Sequence, residues 1–330
     1  MKSRLAFAVA TFCIIQYFGN IGPLPRLACG QIFKIEIYPL KTVTLTDEQF
    51  LTGVKDGKPD VIAGELRIPR PGKDRLPAMV LVHGSGGVTG ETDIWSHELN
   101  KIGIATFILD GFTGRGIVDT VTDQSQLGAL TMINDAYRVL EFLSKHPRIH
   151  PSRIGIMGGS RGGLVALYAS LKRFQRMHGP GDIEFAAYIG FYTPCHVTYI
   201  DDVEVSDKPI RLFHGSADDY VPVAPCREYV KRLQKAGKNV QLTEYPDTYH
   251  LFDNPAIKPP LHLAEAQTPR NCKYEENPAG QIINSQTKQP IKRGTDPCWE
   301  RGVTLAYNAQ AHSEALKAVK EFLTMTFKLK

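Results

Sequence analysis

Long runs of one charge are absent from this 330-residue chain: 39 lysines and arginines lie scattered among 34 acidic residues, leaving a formal net charge of +5. So mild a balance, with no basic stripe, excludes the electrostatic footprint of a nucleic-acid-binding protein. Internal repeats are absent too, which excludes solenoids and other arrays. The N-terminal apolar stretch, 5–18, is short for a membrane span, with an uncleaved anchor helix as the alternative reading. Cysteine is scarce, with six in all, and what the six do depends on where the chain is sent.

The N-terminus addresses that question. Lys2 and Arg4 precede the apolar stretch, and Ala28-Cys29-Gly30 closes the segment as a small-x-small cleavage site. This is the order of an export leader, so residues 1–30 are expected to be a signal peptide and the mature chain to be periplasmic or secreted, with no stable membrane insertion. Arg26, three residues before Cys29, argues against lipid attachment there. Cys195, Cys226, Cys272 and Cys298 then remain. An even number in an oxidising compartment favours disulfides over metal binding or thiol chemistry, with three connectivities open.

What is present is a 42% hydrophobic composition, enough for a large core, arranged in alternating short runs. Residues 32–40 alternate apolar and polar, and 63–68 reads as a second strand, together an antiparallel leading edge. The runs 78–82 and 105–109 are continuously apolar, as strands covered on both faces must be. Further strands are expected at 153–157, 184–192, 209–214 and 240–245. Helices are expected at 94–102, 126–146, 164–177, 222–236 and 305–327; Met132, Ala136, Leu140 and Leu143 fall at helical spacing. Strands alternating with helices predict an α/β fold, a mostly parallel doubly wound sheet with helices on both faces, in one domain over 31–330. The segment 254–301 breaks the rhythm. It is rich in Pro, Asn, Gln and Lys, shows no period, and is bracketed by Cys272 and Cys298. It is expected to be a structureless insertion, either a flap near the active site or a surface excursion.

The chemistry gathers where strands end. Gly158-Gly159-Ser160-Arg161-Gly162 fits G-x-S-x-G between a strand and a helix. So tight a turn presses the residues two before and two after the serine together, and glycine removes the clash. Serine needs a base, and the base needs an orienting carboxylate. Asp218 and His250 each follow a predicted strand and converge on the same rim, the carboxyl end of the sheet. Asp219 is the rival acid; His83, His196 and His214 are rival histidines, of which His83 is expected to brace its glycine loop and His214 to be buried and hydrogen-bonded. An oxyanion needs preorganised donors. The amide of Arg161 is one candidate, and Ser85, then Gly86, in His83-Gly-Ser-Gly-Gly87 is the other. Arg115 either grips a substrate carboxylate or serves a structural salt bridge, for instance to Asp110, and the Arg161 side chain has the same two readings. Trp95 and Tyr192 either line the pocket or fill the core.

Four motifs in this order, His83-Gly-Ser-Gly-Gly, Gly158-Gly-Ser160-Arg-Gly-Gly, His214-Gly-x-x-Asp218-x-x-Val-Pro222 and Tyr245-Pro-x-x-x-His250-x-Phe-Asp, resemble the dienelactone hydrolase family of α/β-hydrolases over roughly 60–325. The resemblance implies a Ser160–His250–Asp218 triad, a small-molecule ester or lactone as substrate, and no cofactor or metal. Founding members use cysteine where this chain has Ser160, which favours a general carboxylesterase activity. The implied topology sets the turn after Tyr192 beside the helix after Asp218, which pairs Cys195 with Cys226 and leaves Cys272 for Cys298.

Other classes leave traces. Gly84, Gly86 and Gly90 follow a strand, Asp110 closes the next one, and Tyr168-x-x-x-Lys172 resembles the short-chain dehydrogenase pair, which would imply an NAD(P)-dependent oxidoreductase. That alternative leaves Asp218 and His250 without a role. A non-catalytic binding protein on a hydrolase scaffold is a further alternative. A prolyl-peptidase-like enzyme shares G-x-S-x-G-G, but the chain is too short for that group's large propeller.

Overall fold

The structure is a computed structural model that describes residues 32–329. The expected leader, 1–30, lies outside the described residues.

Two long strands, β1 (Lys34–Thr44) and β2 (Lys58–Ile68), form the antiparallel edge. Helix α1 (Asp47–Leu51) between them starts on a reciprocal capping box of Thr46 and Gln49. The alternating pattern then gives way to β3 (Leu76–Val82), buried at every position, α2 (Gly90–Lys101), β4 (Ala105–Asp110) and α3 (Ala129–Lys145). Strand β5 (Ile149–Gly159) leads into α4 (Arg161–Tyr168) and α5 (Lys172–His178). The rest of the main fold is β6 (Tyr188–Phe191), the short β7 (Val197–Thr198), β8 (Ile210–Gly215), α6 (Ala224–Lys235) and β9 (Val240–Tyr245). Eight strands make one sheet in the order β1-β2-β4-β3-β5-β6-β8-β9, with every pair from β4 to β9 parallel.

The pleat of these strands builds two cores. Met79, Leu81, Ile108 and Met157 point to one face, against Trp95 and Leu99 of α2. Ala78, Val80, Val82, Phe107 and Ile156 point to the other, against Met132, Ala136 and Leu140 of α3 and Tyr229 and Leu233 of α6. The C-terminal α7 (Ala309–Phe327), capped by the Asn308 side chain, closes the first face with Ala315, Val319 and Leu323.

Two expectations are corrected. The single helix expected over 164–177 is broken between Tyr168 and Lys172. Leu171 is extended there and bridges Val205, while Ser206 and Lys172 exchange backbone hydrogen bonds with Ser170 and Glu204. A neighbouring loop thus captures backbone groups that helical periodicity alone assigns to the helix. The insertion is not structureless either. Strand β10 (Leu261–Thr268) pairs antiparallel with β13 (Glu300–Leu305), and β11 (Tyr274–Glu276) sits between β12 (Ile282–Asn284) and β7. These strands are short, and apart from the local β11–β12 hairpin their partners lie tens of residues away, so no local period announces them. Disulfides join Cys195 to Cys226 and Cys272 to Cys298. Among the described residues no helix is long and apolar enough to cross a membrane.

Candidate active site

Strand β5 and helix α4 meet at Ser160, whose backbone takes φ 55° and ψ −120°. A non-glycine residue there is strained and persists only where its surroundings over-determine it. They do: the Ser160 amide donates to the Phe191 carbonyl at 2.9 Å, and its own carbonyl accepts from the Leu164 amide at 3.0 Å. The flanking glycines have no room for a side chain. A Cβ on Gly158 would lie 2.5 Å from the Gly162 carbonyl carbon, and one on Gly162 would lie 2.0 Å from the Val82 oxygen. The turn therefore lifts the half-buried Ser160 above the sheet at the start of a helix, whose first amides have no partner within it.

Asp218 lies in the loop after β8 and His250 in the loop after β9, and the structure brings them together. His250 Nδ1 lies 2.8 Å from Asp218 Oδ2, with both residues buried. The other carboxylate oxygen accepts from the amides of Tyr220 at 3.0 Å and Val221 at 2.8 Å. Burial alone would raise the Asp218 pKa. The His250 and His214 imidazoles outweigh it and hold the carboxyl well below the usual range, so it is ionised at neutral pH. Asp219, the rival acid, instead accepts from the Thr304 amide at 2.8 Å. With Nδ1 committed to Asp218, the His250 Nε2 is free for proton transfer. His214 bonds the Val221 carbonyl through Nε2 at 2.7 Å. His83 bonds the Gly84 carbonyl at 2.7 Å through Nδ1 and accepts the Gly111 amide at 3.2 Å, tying its glycine loop to the end of β4. His196 is held neutral, since burial and the nearby Arg293 push it down to about 4.

A cavity opens at Ser160. Its wall includes Ser85, Gln124, Arg161, His196 and Tyr220, and, from the insertion, Gln267, Arg270, Arg293 and Trp299. The Arg161 guanidinium is buried and donates to two neutral acceptors, the Leu127 carbonyl at 2.6 Å and Gln124 Oε1 at 2.5 Å. Burial first, and then Arg293, lower its pKa to about 10. Arg293 is paired with Asp47, and Arg270 with Glu300 at 2.5 Å. Arg161 has no carboxylate partner among the described residues. Ser85 is buried with its hydroxyl 3.1 Å from Gln124 Nε2, while Gly86 is exposed.

Three other sequence candidates sit outside this wall. Arg115 is a correction: its guanidinium is held by Asp135 at 2.6 Å and 3.0 Å and by the Gly111 carbonyl at 2.7 Å. The salt bridge therefore goes to a helix α3 acid, not to Asp110, whose Oδ1 caps the turn at Phe112 and Thr113. Trp95 is buried in the core and donates to Asp253 at 2.7 Å. Tyr192 is fully buried behind the site, its ring 4.4 Å from that of His250. Its hydroxyl lies 3.0 Å from both Glu91 and Asp253. A phenol has one hydrogen, so it donates to one carboxyl and accepts from the other, which must be protonated. Burial raises both carboxyls, and with the Asp253 charge added it pushes Glu91 up to about 8, so the pair holds a proton between them. Sequence reasoning passed over Tyr220, Gln124 and Arg293. Tyr220 lay in view, two residues after the acid, but Gln124 and Arg293 stand in loops with no motif around them.

The dehydrogenase pattern is spent on structure. Asp110 caps its own turn, the buried Tyr168 hydroxyl donates to the Val197 carbonyl at 3.3 Å, and Lys172 pairs with Asp207 at 3.2 Å. Among the described residues no group of three or more His, Cys, Asp or Glu side chains is arranged to hold a metal ion.

A parallel sheet in this strand order, with a strained serine after β5 and an acid–histidine pair after β8 and β9, defines an α/β-hydrolase. Within that class, the chain belongs to the dienelactone hydrolase family, whose model matches residues 65–327. It is similar to a probable 2-oxo-3-(5-oxofuran-2-ylidene)propanoate lactonase of Bradyrhizobium, 25% identical over 54% of this chain and 74% of that protein. It is also similar to the uncharacterized peptidase YuxL of Bacillus subtilis, 25% identical over 33% of this chain. That match spans only 20% of the peptidase's length. A solved dienelactone hydrolase-like promiscuous phosphotriesterase from metagenomic libraries shares the fold, with a TM-score of 0.55, 13% identity, and coverage of 89% of this chain and 98% of that one.

Proposed function

We propose that this protein is an exported serine hydrolase that cleaves a carboxylic ester or lactone through an acyl-serine intermediate. The observation that carries the proposal is the 2.8 Å contact between Asp218 and His250 beside a cavity that opens on the strained Ser160. His250 takes the proton of Ser160 as the hydroxyl attacks the ester carbonyl. Asp218, ionised and buried, fixes the tautomer and steadies the imidazolium. The amides of Arg161 and Ser85, with Gly86 beside them, receive the oxyanion. His250 then returns the proton to the leaving oxygen, and water activated by the same histidine releases the acid.

The cavity also favours a class of substrate. Three guanidiniums line it, no acidic side chain is among its lining residues, and Arg161 is matched only by neutral acceptors. An ester or lactone that carries a negative charge completes that set. The mature chain is proposed to begin after the leader 1–30, which suits the two disulfides.

A fluorophosphonate probe with peptide mapping tests the mechanism. The label is expected on Ser160, and Ser160→Ala should lose it together with ester turnover, by several orders of magnitude, at unchanged thermal stability. Near-native turnover in Ser160→Ala sinks the mechanism. An unlabelled wild-type protein favours a hydrolase scaffold kept for binding.

A further inference from the structure

His250 packs against two tyrosines that are used differently. Behind it, Tyr192 is anchored through its hydroxyl by Glu91 and Asp253. On the cavity side, the Tyr220 ring stands 4.8 Å from the imidazole, and Tyr220 is only 6% exposed. Its hydroxyl is buried and has no hydrogen-bond partner among the described residues. Gln124 lies near enough for an amide N–H to face the phenol oxygen, but its own oxygen already accepts from Arg161 at 2.5 Å, so the phenol hydrogen has no acceptor among the described residues. A buried, unmatched donor costs stability comparable to a lost hydrogen bond, so its retention at a cavity points to a ligand.

The backbone that carries the ring is also held in place. The Tyr220 amide donates to Asp218 at 3.0 Å, and its carbonyl accepts from the Thr268 hydroxyl at 2.7 Å. Backbone on both sides of the ring is thereby tied to the catalytic acid and to the insertion.

Resting on the acyl-serine mechanism above, we propose that Tyr220 is a further catalytic residue, whose phenol O–H donates a hydrogen bond to the bridging oxygen of the ester as the C–O bond breaks. That oxygen must face His250, which supplies its proton, and Tyr220 lies over the same imidazole. The phenol keeps its own hydrogen throughout. Burial, only partly offset by the Arg161 charge and by the nearby Gln124 amide, pushes its pKa up to about 12, so it remains a donor across the working range. The proton on the departing alcohol comes from His250, and the charge on the oxygen is shared with Tyr220 until that proton arrives.

A donor at the leaving oxygen matters most when the leaving group is poor. The test compares ethyl butyrate, which expels a strongly basic alkoxide, with 4-nitrophenyl butyrate, whose phenolate leaves without help. Tyr220→Phe removes only the hydroxyl and keeps the ring against His250. The expected result is a kcat/KM roughly tenfold lower for ethyl butyrate and within about twofold of wild type for the nitrophenyl ester, at unchanged melting temperature. The acidic limb of the pH profile should stay where it is, because Asp218 still orients His250. Equal losses on both esters, or no loss on either, overturn the proposal. So does wild-type behaviour of Tyr220→Phe alongside an impaired Tyr220→Leu, since that pattern means the ring acts by packing alone. If the wild-type protein neither takes the fluorophosphonate label nor turns over either ester, the serine mechanism itself fails, and this role falls with it.

Discussion

At the scale of the residue, Ser160, the proposed nucleophile, is where the proposed function opposes stability most directly. Its φ of 55° with ψ of −120° is a conformation in which a Cβ is crowded and which glycine adopts freely. Ser160→Gly is therefore expected to abolish turnover and yet raise stability, by about 1 kcal/mol after the entropy cost of glycine. A thermal melt of the two proteins checks it; a destabilised glycine variant would mean that the serine is not strained. Glu91 has the same character behind the site. Its carboxyl titrates near 4.5 in an unfolded chain and is pushed up to about 8 by burial and by Asp253. Between those values the folded state holds more protons than the unfolded one, so stability falls as pH rises through the window. Glu91→Gln keeps a donor for the Tyr192 oxygen without the titration. Melts from pH 5 to 8 should decline in the wild type and flatten in the variant.

Elements decide how firmly the site is held, and here the insertion carries an unexpected share. Strands β10 and β13 grip both site loops. The Thr304 amide and the Arg270 guanidinium hold Asp219, at 2.8 Å each. Thr268 holds Tyr220, and the Ala306 amide reaches the His250 carbonyl at 3.2 Å. Cys272–Cys298, 26 residues apart, staples the segment between these strands. Replacing both cysteines with alanine is expected to lower stability by about 3.5 kcal/mol, the loop-closure estimate for that length. It should also lower kcat/KM for esters, because the acid and histidine loops lose a rigid neighbour. Reversible unfolding and steady-state kinetics on the same double variant measure both effects. Unchanged kinetics in a destabilised variant would show that the staple serves the fold alone. None of this was legible from composition. A Pro- and Asn-rich stretch reads as loop because its strands are three to eight residues long and, outside the β11–β12 hairpin, their partners lie far off. The expected 164–177 helix failed for a related reason, since the loop that breaks it is about thirty residues downstream at Glu204–Ser206.

On the scale of the whole molecule, short-range rules account for much of the architecture. The fully apolar strands, the helical spacing of α3, and a serine between glycines at a strand end all follow from steric and burial rules that act over a few residues. The order of Ser160, Asp218 and His250 and the nature of the turn around Ser160 were thus set by sequence alone. So was an α/β architecture with an antiparallel edge. Folding decided which of two adjacent acids meets the histidine, because a one-residue step around the β8 turn sends Asp218 to His250 and Asp219 to Thr304. It spent Arg115 on Asp135 and left Arg161 in the cavity wall without a matching charge. It also set two tyrosines against one imidazole and gave only one of their hydroxyls a partner among the described residues. Those outcomes depend on contacts between segments tens to hundreds of residues apart, where hydrogen bonds and charges are matched by proximity and no spacing along the chain foretells them.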